Sequence, residues 1–221
     1  MKDVNKLILS ILQTVQDEPA SSVGTRIVNE LARQTAEVRY WPTDRELLDK
    51  VPSLRMYGNI RQNRLRVVLE GIEKRLRSEL NESVSINQPL EVEHIFPQKW
   101  RRHWDSVPPR SDEQAYEVEV AVNTLGNLTL VTSKLNGSLS NRPWTDKEAQ
   151  LAGSTGVQPG MGKRSLIGQY SLLVMNRAIV DLHPESWDID NIADRSLDLT
   201  REICRVWPGP PTQVKQAPPP N

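Results

Sequence analysis

The 221 residues carry 28 basic and 28 acidic side chains, so the formal net charge is zero and no global field selects a polyanionic or polycationic partner. At 37% hydrophobic and 25% charged, the composition is that of a soluble globular protein with enough chain for a core in one domain or two small lobes. One cysteine, Cys204, excludes an internal disulfide and a multi-cysteine zinc knuckle; with no apolar run of membrane-spanning length and no signal peptide at Met1-Lys2-Asp3, the expected location is cytoplasmic.

Val4, Leu7, Ile8, Ile11, Leu12 and Val15 recur at helical spacing and predict an amphipathic helix over 3–16. A second helix is expected over 22–38, with Val23, Ile27 and Leu31 on one side. Thr43, with Glu46 three residues on, is a capping box that restarts the chain after Pro42. The next long helix turns Leu65, Val68, Leu69, Ile72, Leu76 and Leu80 inward, so residues 1–87 read as an N-terminal helical lobe. Charge within this lobe is uneven. Arg55, Arg61, Arg64, Arg66, Lys74, Arg75 and Arg77 are opposed only by Glu70 and Glu73, and Lys99, Arg101, Arg102 and Arg110 follow. Such a local basic field suits a phosphate backbone; for any single one of these residues a solvated helix face is the commoner account.

Residues 81–89 are polar and turn-like, and 90–96 shift to a short strand pattern closed by Pro97. A basic, Trp-containing loop follows over 99–110. Ser111 to Gln114 forms another capping-box pattern and opens a helix that should stop near Asn123. Gly126 gives a tight turn into a second strand, Leu128-Thr129-Leu130-Val131. Thr132 or Ser133 caps a short helix in which Leu135 and Leu139 face the core while Asn136 and Ser140 face the strands. Pro143 stops that helix, and Thr145 to Glu148 caps another. Residues 152–162, rich in Gly, Ser and Pro, are expected to be a mobile loop. Two helices should follow, the later with Ile189, Ile192, Leu199, Ile203 and Val206 on one face and Cys204 on its apolar side. The Pro-rich tail over 208–221 is expected to be disordered. The fold class is therefore α+β and mostly helical, with a core over 88–150 and helices over 151–207 packed on it.

Chemistry concentrates at Glu93-His94, at the end of the first strand, at Asn127, at the start of the second, and at Asn136 in the helix that follows. Metal-assisted phosphodiester hydrolysis needs a general base, a cation that stabilises charge on the phosphate and leaving oxygen, and a group that orients the base. An imidazole of ordinary pKa, about 6.5, is largely neutral at physiological pH, which suits His94 to the first role at a solvent-reachable position. Asn127 has the hydrogen-bonding capacity to fix the ring. Glu93 and Asn136 offer hard oxygen ligands, matched to magnesium, with manganese as the alternative, better than to zinc. Strand alternation sends Glu93 and His94 to opposite faces, so either the strand ends at His94 or Glu93 acts elsewhere. A lone histidine after an apolar strand is more often structural. Glu-His-Ile-x-Pro-Gln, then Leu-Gly-Asn-Leu, then Asn nine residues on, is far more specific than its parts.

This combined pattern resembles the HNH (ββα-metal, His-Me finger) nucleases and, within them, the C-terminal HNH domain of GmrSD-type modification-dependent restriction endonucleases. The resemblance continues in Trp41-Pro42-Thr43-Asp44, in Leu139-Ser140-Asn141-Arg142-Pro143, and in Ser186-Trp187-Asp188-Ile189 through Val206-Trp207-Pro208. It implies a ββα-metal finger embedded between helical lobes and an endonuclease acting on DNA. By resemblance His94 is the general base, Asn127 the asparagine that braces the finger, Asn136 a metal ligand and Glu93 the acidic ligand. The third signature position, often His, is Asn here, which removes a transition-metal ligand. Asn141, Lys147, Arg101 and Arg102 are candidates for contacts supporting the metal or the phosphate; capping the helix end before Pro143 is the alternative for Asn141. The resemblance also implies a separate N-terminal NTPase and target-sensing domain or subunit, outside these residues, and no membrane partner.

The rival reading is a catalytically inactive nucleic-acid-binding or interaction module on the same scaffold, against which the intact His94, Asn127 and Asn136 set argues. Gly160 to Ser165 approaches a phosphate-binding loop, but Val157 stands where the first glycine is required, Arg164 stands where Ser or Thr is, and no apolar strand precedes it. It reads as a loop. His103 and His183 read as exposed or capping residues, and Trp100 and Trp104 as packing residues.

Overall fold

The structure, a computed structural model, describes residues 2–77, 88–102 and 111–211. In chain order these form α1 (Lys2–Val15), α2 (Ala20–Ala32), α3 (Asp44–Lys50), α4 (Gln62–Leu76), β1 (Leu90–His94), α5 (Asp112–Val122), β2 (Leu128–Thr132), α6 (Ser133–Leu139), α7 (Asp146–Leu151), α8 (Lys163–Tyr170), α9 (Val174–Leu182) and α10 (Ile189–Val206). The chain is thus α+β and mostly helical, as its patterning predicts.

The chain divides into two compact units, one up to Leu47 together with Trp207 onward, the other Leu48–Val206. In the first, α1 packs on α2, with the Ser10 hydroxyl donating to Glu30 and Arg26 pairing with Glu18 at 2.8 Å. The expected second helix, reaching residue 38, instead ends at Ala32. There the Gln34 side-chain amide donates to the Glu30 carbonyl, while the Gln34 backbone N–H tightens onto Leu31, a 3-10 closure that breaks the α-helical ladder. The Thr43/Glu46 capping box forms in both directions, at 2.9 and 3.2 Å. The end of the chain returns here: Trp41 Nε1 donates to the Pro208 carbonyl, and the Gly209 N–H to Asp44. The tail expected to be disordered lies, from residue 212, outside the described residues.

The second unit is built around a two-stranded antiparallel sheet in which Leu90 pairs with Thr132 and His94 with Leu128. Leu65, Leu69 and Ile72 of α4, three and four residues apart, are fully buried where the helix packs on both strands and on α9 and α10. The helix ends at Leu76, with Arg77 extended, and Leu80, expected to face inward from it, lies outside the described residues; α4 shares its unit with the sheet rather than with α1 and α2. A second layer, with Val131, Leu135, Leu139, Trp144, Leu166, Ile167 and Ile179 in one apolar cluster, joins β2 and α6 to α8 and α9. Strand β1 ends at His94, two residues before the expected limit, because the chain turns at Ile95-Phe96 around Asn127.

Three helices, not the expected two, follow residue 162. The loop expected to be mobile before them is tied down from outside its own sequence: the buried Arg142 guanidinium donates to the carbonyls of Thr155, Val157, Gln158 and Met161. At Gly126 a Cβ would meet the Ile192 carbonyl at 1.9 Å, so this glycine serves close approach of α10 to the turn before β2. Cys204 is half-buried rather than part of the core.

Candidate active site

β1 is the short strand that the alternation of LEVEH dictates, and β2, covered on both faces, is the apolar LTLVT. Alternation places Glu91 and Glu93 on one face of β1 and His94 on the other, and their partners confirm the split. Asn136 of α6 donates to Glu91 at 2.7 Å. Lys163, the first residue of α8, donates to Glu93 Oε1 at 2.8 Å and to the His94 carbonyl at 2.6 Å. The His94 ring meets Tyr57 edge-on at 4.4 Å between centroids.

His94 is not at the solvent-reachable position expected of it: it is 7% exposed, and its Nε2 is buried without a hydrogen-bond partner among the described residues. Burial pushes its pKa down to about 4, the Lys163 ammonium adds to the effect, and the Asn123 side chain opposes it. The imidazole is therefore neutral at physiological pH.

Asn127 clamps the turn that follows β1, and none of its side-chain hydrogen bonds goes to that ring. Wholly buried, it accepts from the Phe96 N–H at 2.7 Å and from Trp187 Nε1 at 3.1 Å, and its amide donates to the carbonyls of Phe96 and Val122, both at 2.8 Å. The amide near the imidazole is that of Asn123 instead. Asn123 also accepts from Gln98 at 3.2 Å, and its backbone carbonyl accepts from the N–H groups of Met56 and Tyr57. Thus the Tyr57 turn, the end of α5 and the end of β1 meet at His94.

Asn136 faces the strands as its spacing predicts, but the carboxylate it reaches is Glu91, not Glu93. Ser140, expected beside it, is exposed at the end of α6 with φ of 42°. Asn141 and Lys147 stand away from this contact: Asn141 is half-buried and lines an open cavity of about 730 Å³ between α6 and residues 152–157, and Lys147 is exposed. Arg101 lies over the Trp100 ring at 4.6 Å and pairs with Glu119 at 3.3 Å. The Arg102 side chain, His103 and Trp104 lie outside the described side chains, whereas Trp100 is buried as packing requires. His183 caps the end of α9 and meets the Trp187 ring edge-on, which accords with a capping role.

Four residues at the site escaped the sequence reading: Glu91, Tyr57, Asn123 and Lys163. Glu91 had a signal, since it lies two residues before Glu93 and so on the same face. Lys163 had none. It belongs to the segment read as a loop, yet it opens a helix and is fully buried, its pKa lowered by burial against the opposing pull of Glu93.

No curated protein and no solved structure gives a match to this chain. The family model described as GmrSD restriction endonucleases, C-terminal domain, matches residues 41–202, and since that is well over half of its length, the chain belongs to this family of restriction-endonuclease modules.

Proposed function

We propose that this chain is an HNH-type, metal-dependent endonuclease module that hydrolyses DNA phosphodiester bonds, as the cutting part of a modification-dependent restriction system. The observation that carries the reading is His94, an imidazole kept neutral by burial and with Nε2 left without a partner among the described residues.

The donor set fits magnesium. Glu91 is exposed, Asn136 is half-buried with its amide nitrogen on Glu91 and its oxygen left over, and Lys163 takes one oxygen of Glu93 while no described residue takes the other. One or two carboxylates and an amide oxygen, open to water, are what a magnesium ion that retains most of its hydration requires. Among the described residues no group of three or more His, Cys, Asp or Glu side chains could hold a metal ion, so the cation of this reading would depend on the Asn136 amide oxygen and on water beside the carboxylates. Asn136 with Glu91 and Glu93 would hold the cation, which would supply charge stabilisation at the phosphate and the leaving oxygen.

The remaining work falls to the chain itself. His94 is the general base of this reading, and its unpartnered Nε2, buried in the structure, is the atom that would take the proton once water is admitted to it. Lys163 holds the carbonyl of the same residue, and Asn127 clamps the backbone two residues on, so the stretch carrying the base is fixed from two sides. Target sensing and nucleotide hydrolysis are assigned to a separate N-terminal region. The isolated chain should therefore nick modified and unmodified DNA alike and ignore added triphosphate.

The test is plasmid relaxation with magnesium, with and without chelator. His94→Gln should lose at least about a hundredfold in rate, and Asn136→Ala should lose activity at limiting magnesium and regain part of it at high magnesium or manganese. Chelator-resistant nicking, or a His94→Gln variant near the wild-type rate, would sink the reading.

A further inference from the structure

We infer that the Tyr57 turn and the first turn of α4 form the surface along which a DNA phosphate backbone approaches His94, with Arg55, Arg61 and Arg64 as its contacts. The inference rests on the endonuclease reading above and names the face on which that substrate lies.

Residues 55–66, RMYGNIRQNRLR, hold four arginines and no acid. The structure separates the four. Arg66 pairs with Glu70 at 3.4 Å, so its charge is answered within α4. Arg55, Arg61 and Arg64 are exposed, and no described carboxylate pairs with any of them. Two of them stand at the positive end of a helix. Arg61 is the N-cap of α4, without a side-chain cap bond, and the first turn contains no acid. Helices α3, α5, α7 and α10 each place an acid there, as the helix dipole favours. Cations at that end are unfavourable to the helix alone and become favourable once an anion is bound.

The platform beneath them is rigid and leads to the base. Met56 and Tyr57 donate to the Asn123 carbonyl at 2.9 and 3.0 Å, Gly58 takes φ of +90°, and the Ile60 N–H closes onto the Met56 carbonyl at 2.9 Å. Gln62 donates to the Tyr57 hydroxyl at 2.7 Å, and the other side of that ring meets His94, whose Nε2 is unpartnered among the described residues. The other concave surfaces suit a polyanion less well. In the cavity beside α6, Arg142 is already saturated by four carbonyls. The pocket of about 650 Å³ between α9 and α10 is lined by Asp194, Asp198 and Glu202 along with its arginines.

The test is anisotropy of a labelled duplex titrated with the full chain in chelator, so that nothing is cleaved, over a series of salt concentrations. Arg55→Gln/Arg61→Gln/Arg64→Gln should weaken binding at least about tenfold at low salt and reduce the slope of log K against log salt by about 2 to 3, near 0.9 for each phosphate no longer neutralised. Lys74→Gln/Arg75→Gln, at the far end of α4, should leave both unchanged. All five side chains are exposed, so neither variant should lose melting temperature, and the triple variant should match the wild type or slightly exceed it because two cations leave the positive end of α4. Wild-type affinity and slope in the triple variant, equal losses in the control pair, or no duplex binding by the wild-type chain would each overturn the surface. A wild-type chain that binds through these arginines yet never nicks would overturn the endonuclease reading and leave the surface standing.

Discussion

Lys163 and Glu93 lie 70 residues apart and join through an Nζ to Oε1 contact of 2.8 Å, with the lysine wholly buried and the carboxylate nearly so. Few lysines are fully buried, because removing the ammonium from water is costly unless a counter-charge and hydrogen bonds replace its hydration. Here the replacements are Glu93 and the His94 carbonyl. The pair fastens α8 to the end of β1, next to the proposed base.

Lys163→Met should therefore destabilise the protein by about 3–5 kcal/mol, since it strands a mostly buried carboxylate. Adding Glu93→Gln should recover a large part of that loss by removing the stranded charge. Urea denaturation of the two single variants and the double variant measures this coupling. A single-variant loss under about 1 kcal/mol would show that the pair is not what holds these elements together.

His94 gives the fold a specific weakness to acid. Its folded pKa is about 4, against an ordinary value near 6.5. Between those two pH values the unfolded chain binds a proton that the folded chain refuses, so stability falls as pH drops through this window and is unaffected above it. The shift corresponds to about 3 kcal/mol. Denaturation of wild type and His94→Gln at pH 7 and pH 4.5 should show the wild type losing more by an amount of this order. Equal losses would mean that the imidazole titrates normally. The same depression should keep the base in its accepting form well below pH 6, so the acid limb of the nicking profile should not fall at the usual histidine position.

Asn127 is a structural keystone rather than a reactive group. Asn127→Asp keeps the shape but cannot donate to the carbonyls of Phe96 and Val122, and it buries a charge. Both Asn127→Asp and Asn127→Ala should cost at least about 3 kcal/mol. Nicking should then fail in step with folding, recovering in the fraction that remains folded at low temperature. A variant of wild-type stability with no activity would point to a direct chemical role instead.

The helices carried their own instructions. Capping boxes at Thr43/Glu46 and Thr145/Glu148, the Ser111 cap and the spacing of Leu65, Leu69 and Ile72 are interactions within a few residues, and the structure realises each. Apart from the early end of α2, which local contacts of Gln34 explain, failures came where a long-range partner intervened. Residues 152–162 have the composition of a free loop, and Arg142 reaching forward to their carbonyls, with Asp146 on the Gly162 N–H, orders them. Glu73, which counts in the sequence merely as one opposing charge on a basic helix, accepts from the backbone N–H groups of Val174 and Met175 and so caps α9 from another element.

Sequence alone determined the residue types of the site, the strand–strand–helix order that carries them, and the alternation that parts Glu93 from His94, because all of these depend on short spacings along one chain. Which carboxylate meets Asn136, that Lys163 of α8 reaches the end of β1, and that His94 is buried against Tyr57 were decided by tertiary structure. Desolvation and pairing act through space, between residues whose separation along the chain, 45 for Glu91 and Asn136 and 70 for Glu93 and Lys163, leaves no periodicity to read.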